Sequence, residues 1–182
     1  MKKLTIFLCF IMVFTATAYS QRYITKTGHI KFYSDSPLEK IEANNRQVKA
    51  IIDVTTGDFI FTVLMKSFEF EKALMQEHFN ENYVESDKFP NATFLGKVIN
   101  IKELDVKKEG VYDVTIEGKL TIHGITRYIK EKGTFGVNGD KLTGKATFMV
   151  LLNDYDIKIP AAVTKNISKS IEISVNVILD KL

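Results

Sequence analysis

"VYDVTIEGKLTIH", residues 111–123, alternates apolar and polar side chains from beginning to end. A strand with this period of two buries one face in a core and leaves the other face in water. The even-numbered positions form the predicted inward set, Val114, Ile116, Leu120 and Ile122, and the odd-numbered positions supply the solvent set, Asp113, Glu117 and Lys119. The stretch therefore predicts a β-strand in a sheet with one buried face.

Similar patterns recur on both sides of this strand, separated by short polar connections. The predicted strands are 48–54, 58–70, 91–101, 125–137, 141–152 and 169–179, with one or two more in 22–35. Turn signals such as "TTG" (55–57) and "NGD" (138–140) join neighbouring strands, which indicates antiparallel pairing. Glycines inside several strands suit the coiling of a closed barrel. We therefore predict an all-β fold with one short helix, an extended antiparallel β-barrel of about eight strands.

The first twenty residues differ from the rest of the chain. Lys2 and Lys3 precede the apolar run "LTIFLCFIMVFTATA" (4–18), which ends in small residues. This order is typical of a cleaved signal peptide, and the alternative is an uncleaved membrane anchor. We predict a signal peptide over 1–20, a single domain over 21–182, and a periplasmic or secreted protein. Cleavage would remove Cys9, leaving no cysteine for disulfides, thiolate metal sites or nucleophilic catalysis.

The charge of the chain argues against nucleic acid as a partner. The full sequence has 25 basic and 22 acidic residues. Loss of Lys2 and Lys3 would leave 23 basic residues, a net charge of +1. These charges are interspersed and form no basic stripe.

One segment departs from the strand pattern. In residues 71–84 the apolar side chains Met75, Phe79 and Tyr83 are spaced by four, which predicts one stripe of an amphipathic helix. Such a stripe either packs as ordinary core or covers a cavity. The preceding stretch, 58–70, is apolar on both faces, and its large side chains either fill the barrel or line an apolar cavity.

The sequence carries no recognisable catalytic or metal-binding motif. His29, His78 and His123 show no metal-ligand spacing, and no nucleophile elbow, phosphate loop or paired-acid motif is present. We predict no catalytic residues, no metal and no cofactor. His123 is instead predicted to form hydrogen bonds at a turn.

Three stretches resemble the YceI-like family: "SFEFEKALMQEHFNENYVESDKFPNATFLGKV" (67–98), "GKLTIHGITR" (118–127) and "ATFMVLLNDYDIKIP" (146–160). The resemblance extends over about residues 22–181. It implies an exported, lipocalin-like barrel with a helix at one side and a polyisoprenoid, quinone-like or other long-chain amphiphile in its interior. The chain departs from the family's pattern at Asn153 and Asp156, so no head-group contact is carried over from that segment.

The apolar parity of the strands and this resemblance together predict a ligand-binding set. Its nine members are Phe61, Val63, Met65, Met75, Phe79, Phe94, Ile116, Leu120 and Phe148. The expected partner is a long-chain lipid or isoprenoid, with a homodimer as a further possibility and no membrane span after cleavage. Two alternatives stay open at this point: a structural or stress-response barrel with a filled core, and an enzyme that acts on a lipid.

The signal peptide gives the first testable prediction. Protein recovered from its native host should begin near Gln21 and be found outside the cytoplasm, because the basic start, apolar run and small residues match the requirements for export and cleavage. N-terminal sequencing checks this prediction. Soluble protein that retains Met1 would contradict it.

Overall fold

The computed structural model describes residues 21–182, so the predicted signal peptide over 1–20 and Cys9 lie outside it. Nine strands are present: β1 Arg22–Asp35, β2 Lys40–Asp53, β3 Asp58–Leu64, β4 Glu69–Phe70, β5 Asn91–Val98, β6 Gly110–Ile122, β7 Ile125–Asn138, β8 Lys141–Leu151 and β9 Ser170–Lys181. The helix α1 spans Ala73–His78 and continues into a π-helical turn, Phe79–Tyr83. Short 3₁₀ turns occupy Met65–Ser67, Ile101–Glu103, Leu152–Tyr155 and Ala161–Val163.

Eight of these strands close into a barrel. The order around the wall is β1-β9-β8-β7-β6-β5-β3-β2, and pairing of β1 with β2 completes the circle. Every neighbouring pair is antiparallel. Apart from β9 and β1, the paired strands are also consecutive in the chain order of the barrel strands. The predicted antiparallel barrel of about eight strands, with one short helix, is confirmed.

The side-chain alternation of β6 also agrees with its prediction. Val114 is buried, while Ile116, Leu120 and Ile122 pack against the core from the same face. Asp113 and Lys119 are exposed on the other face, where Glu117 lies 3.5 Å from Lys130 of the neighbouring strand. Residue 118 therefore faces inward, and the register of the barrel follows from this parity.

Two predicted strands differ most from the observed ones, and the buried amide of Asn45 lies where they meet. β2 begins at Lys40, whereas the prediction began at residue 48. The first half was missed because residues 40–47 are mostly polar. Asn45 is fully buried there, and its Nδ2 donates to the carbonyl of Leu64 at 2.8 Å. The strand predicted over 58–70 ends at Leu64 as β3. After the 3₁₀ turn at Met65–Ser67 the chain pairs with β2 again as β4.

The lower end of the barrel, which carries the β2–β3 and β7–β8 turns, is packed solid. Apolar side chains from opposite strands meet there and are almost completely removed from water: Tyr23, Ile52, Val98, Val137, Leu142 and Leu179. We call this end the floor. Because buried apolar area is the main source of stability in a domain without disulfides, the floor holds the barrel together.

Two facing glycines set how closely β5 and β6 approach each other. Gly96 and Gly118 are direct cross-strand partners. A Cβ on Gly118 would overlap the Cα of Gly96 and the carbonyl oxygen of Leu95, which are backbone atoms that cannot move aside. The two strands can pack this closely only because neither position has a side chain.

We therefore expect Gly118→Ala to lower the free energy of unfolding by about 1–3 kcal/mol through overpacking. Gly136→Ala is the matched control, because Gly136 also lies in a strand but the nearest atoms to its added Cβ are 3.8 Å away. Denaturant unfolding of both variants measures the difference. Equal effects of the two substitutions would contradict the close-approach argument.

Candidate functional site

The upper half of the barrel is hollow. A cavity of about 440 Å³ begins above the floor and extends to the end covered by α1. This volume falls within the range of roughly 300–1,000 Å³ that is usual for small-molecule sites. Its wall consists mainly of carbon atoms of apolar side chains, which is unfavourable for water and favourable for a hydrocarbon ligand.

All nine residues of the predicted ligand-binding set lie on the wall of this one cavity: Phe61, Val63, Met65, Met75, Phe79, Phe94, Ile116, Leu120 and Phe148. Phe61 and Val63 come from β3, and Met65 comes from the turn after it. The segment 58–70 is apolar on both faces, and the odd-numbered face of β3 is the one that lines the cavity. Their role in holding a ligand remains a prediction. The cavity itself argues against the filled-core alternative.

Sequence reasoning missed an aromatic cluster at the top of the cavity. Phe32 of β1, Phe68 and Phe70 surround Phe79, with ring centroids 5.0–5.5 Å from that of Phe79. Only Phe79 belonged to the predicted set. Parity within β1 could have identified Phe32, which shares a face with the cavity residue Ile30, whereas Phe68 and Phe70 follow a turn at which parity is lost.

The segment 73–83 forms a roof over the cavity. Met75, Phe79 and Tyr83 all face the cavity, as one helical stripe. The stripe therefore covers a cavity, which was one of the two interpretations left open by the sequence. The last residues widen into a π-helical turn, in which the N–H of Val84 donates to the carbonyl of Phe79 at 3.0 Å. Burial raises the pKa of the Tyr83 phenol, which keeps this wall uncharged.

A histidine fixes the end of the roof to the barrel. His123 Nδ1 lies 3.0 Å from the carbonyl oxygen of Tyr155 and therefore donates to it, while Nε2 lies 2.7 Å from a carboxylate oxygen of Glu85. The sequence predicts that His123 caps a turn by hydrogen bonding; it lies at the β6–β7 turn and forms hydrogen bonds, but with Glu85 and Tyr155 rather than with that turn. Both Glu85 and His123 have positive φ, at 44° and 51°, a backbone conformation that costs energy in residues with a side chain. We call this contact the His123 junction.

Polar side chains from the α1 segment and from the loops facing it form the rim of the cavity. Glu39, in the turn between β1 and β2, lies 3.3 Å from Lys72 Nζ and accepts a 3.3 Å hydrogen bond from Asn166. The loop containing Asn166 is tied to β1 by a bond from the Ser168 N–H to Ser34 Oγ at 2.9 Å. We call Glu39, Lys72, His78 and Asn166 the polar rim.

One carboxyl group on the inner face of β7 has no charged partner. Glu131 has the same parity as Ile129 and Gly133, which line the cavity, and it is half-buried. Within residues 21–182 it makes neither an ion pair nor a hydrogen bond. Burial alone raises its pKa from the ordinary value of 4.5.

Across 21–182, no three His, Cys, Asp or Glu side chains come together in a way that could hold a metal ion. Within that range there is also no helix with the length and apolar character needed to cross a bilayer.

A family model described as the YceI-like domain matches residues 21–179. UPF0312 proteins of Pseudomonas putida are 29% identical over 98 residues, covering 50% of this chain and 47% of theirs, so the match spans less than half the length of these relatives.

Solved structures resemble the barrel more completely. A polyisoprenoid binding domain from Saccharophagus degradans, implicated in plant cell wall breakdown, has a TM-score of 0.76 at 12% identity, covering 90% of this chain and 99% of its own. BcnA of Burkholderia cenocepacia has a TM-score of 0.69 at 15% identity, with coverage of 84% and 95%. A YceI protein of Campylobacter jejuni has a TM-score of 0.59 at 17% identity, with coverage of 76% and 83%. At these identities the likeness establishes a shared fold.

The raised pKa of Glu131 gives a prediction with a definite sign. The folded protein disfavours the ionised carboxylate, so stability falls as pH rises from the unfolded-state value of about 4.5 through the higher folded-state value. Glu131→Gln removes this penalty and should raise the melting temperature at pH 7, with the gain vanishing in acid below that window. Thermal unfolding across pH measures it, with exposed Glu109→Gln as control. A gain that is the same at all pH values would contradict the argument.

Proposed function

The chain belongs to the YceI-like domain family, and we propose that it is an exported binding protein that holds a polyisoprenoid, quinone-like or other long-chain amphiphile in the barrel. One observation carries the proposal: the upper barrel encloses an apolar cavity under an apolar roof, where an ordinary barrel of this size would be packed with side chains. The polyisoprenoid binding described for the Saccharophagus degradans domain supports the isoprenoid as one candidate cargo.

The free energy of binding in this proposal comes from the tail. Each methylene group moved from water into the cavity contributes about 0.8 kcal/mol, so a tail of ten or more carbons would outweigh one or two hydrogen bonds. The aromatic cluster of Phe32, Phe68, Phe70 and Phe79 offers flat faces to such a chain, and Met65 and Met75 adapt to its shape.

The head group would lie at the polar rim. There, Glu39, Lys72, His78 and Asn166 provide donors and acceptors on the cavity wall, and Lys72 and Glu39 already neutralise each other. A head group that hydrogen-bonds to this rim would select among ligands that have similar tails. Capture and release of cargo need no covalent step, and we propose a carrier rather than an enzyme.

Extraction of freshly purified protein into organic solvent, followed by mass spectrometry, tests the proposal directly. The expected result is a long-chain amphiphile in near-stoichiometric amount. An empty cavity in protein that also takes up no added prenol or fatty amide would contradict binding. Catalytic turnover of lipid esters would favour the enzyme alternative.

Phe61→Trp tests the location of the ligand. Phe61 is 8% exposed and faces the cavity, so a larger ring should narrow the cavity and reduce bound lipid, at a cost of about 1–3 kcal/mol in stability. Ile60→Trp is the matched control, because Ile60 adjoins Phe61 in β3 but faces outward and is 46% exposed. Lipid content and thermal unfolding are measured on the same samples. Unchanged lipid content in Phe61→Trp, together with clear destabilisation, would remove this face of β3 from the site.

A further inference from the structure

The wall of the barrel is not continuously hydrogen-bonded between β7 and β8. Their ladder runs from the pair Asn138–Lys141, beside the hairpin turn, only as far as Gly133–Ala146. Above this point, residues 125–132 of β7 and 147–151 of β8 share no backbone hydrogen bond, although each stays paired on its other side, to β6 and β9. We call this unpaired stretch the seam.

The seam borders the cavity. Ile129 of β7 and Phe148 and Val150 of β8 line the cavity from the two sides of the seam, just above the last paired residues Gly133 and Ala146. At its upper end a side-chain bond crosses the seam, from Arg127 Nε to the carbonyl oxygen of Asp154 at 2.9 Å. Two strand edges with free backbone groups thus separate the apolar cavity from the outside.

Exposed apolar side chains flank the seam on the outer surface. Tyr128 of β7 is 65% exposed, and Met149 and Leu151 of β8 are 55% and 51% exposed. We call these three residues the collar. Because Met149 and Leu151 alternate with Phe148 and Val150, β8 is apolar on both faces over residues 148–151, above the exposed Thr147. A strand edge of this kind suits an apolar surrounding on both sides.

Lysines surround the collar. Lys119, Lys132 and Lys145 lie on the outer faces of β6, β7 and β8, are exposed, and have no acidic partner among residues 21–182. Of the acids on the same surface, Glu117 is paired with Lys130 and Glu172 lies opposite Met149 in the ladder. The surface around the collar therefore carries an excess of positive charge.

We propose that the seam is a side portal of the cavity, and that its collar and lysines dock on an anionic lipid bilayer from which the tail enters between β7 and β8. This inference rests on the proposed function and adds the route and the partner. On the β8 side of the seam a tail meets Met149 and Leu151 outside and Phe148 and Val150 inside. On the β7 side the inner face contributes Ile129 and the half-buried Glu131. The lysines supply the attraction to anionic head groups.

A second copy of this chain fits the same surface less well than a bilayer does. A two-fold interface centred on the collar would bring the lysines of one copy against the same lysines of the other, with Glu172 as the one acid beside Met149 to offset them. An anionic bilayer offers opposite charge and an apolar interior together, which matches both the lysines and the collar.

The test uses purified protein, vesicles of phosphatidylcholine with and without phosphatidylglycerol, and a fluorescently labelled farnesol as probe. Vesicle flotation measures docking, the rate of probe transfer from vesicle to protein measures loading, and probe content at saturation measures the cavity. Met149→Ser with Leu151→Ser removes most of the collar, and Lys132→Glu with Lys145→Glu reverses the charge. Ile60→Ser with Leu95→Ser is the matched control, since these side chains are exposed to a similar extent, 46% and 54%, on β3 and β5.

We expect the collar and charge variants to lose flotation with anionic vesicles and to load the probe at least about tenfold more slowly, with unchanged content at saturation. The control should behave as the parent protein does. Variants that float and load normally overturn the portal alone, as does a collar variant that changes only the oligomeric state. Failure of the parent protein to take up probe from any source overturns the proposed function as well. Thermal unfolding of each variant checks that its fold is retained.

Discussion

A hollow interior removes packing energy, and the solid floor of this barrel supplies the stability that the upper half lacks. Wall atoms that face a void have no van der Waals partners on that side, so a cavity weakens the fold around it. At the floor, Ile52, Leu142 and Leu179 are completely buried, and β1 pairs with β2 at intervals along its whole length. Solid packing at one end and closure along the β1–β2 side leave the upper wall between β7 and β8 free to open.

The upper half is held mainly by individual contacts. The roof is fixed at one end by Lys72 on Glu39 and at the other by Glu85 on His123. Two positive-φ residues at the His123 junction show that the surrounding structure imposes this geometry against local preference. Each of these side-chain contacts can break separately, whereas the hydrogen bonds of a strand ladder break one after another along its length. We therefore expect conformational change in the upper half of the barrel.

The sequence predicted the parts of the molecule that depend on alternation. Strict period two placed Ile116 and Leu120 inward, and spacing by four placed Met75 and Phe79 on one helical face. The resemblance to a family then predicted that these faces line a common cavity. Alternation failed at Asn45, because a buried amide satisfied by a carbonyl looks like a surface residue in sequence. The aromatic partners Phe68 and Phe70 were missed for a related reason, since the turn at 65–67 resets the parity. The seam was not predicted. In 125–132 the inward positions hold Arg127 and Glu131 as well as Ile125 and Ile129, and this break in alternation does not by itself show that the strand lacks a partner.

The polar rim and the seam suit different parts of an amphiphile. At the rim, Glu39 joins Lys72 and Asn166 across the opening, so an apolar tail that entered there would have to displace charged and hydrogen-bonded groups. At the seam, the β8 edge presents hydrocarbon from Met149 and Leu151, and one side-chain hydrogen bond, from Arg127 to the carbonyl of Asp154, crosses the gap. Each methylene that remains shielded during transfer avoids a penalty of about 0.8 kcal/mol, so the barrier for a long tail depends on how little of it is wet at once. A slit parallel to the cavity lets the whole tail move sideways with its length covered, while the head stays in contact with water or with the rim. The same reasoning explains why a barrel with this cargo would leave β7 and β8 unpaired above Gly133, although a continuous ladder there would be more stable.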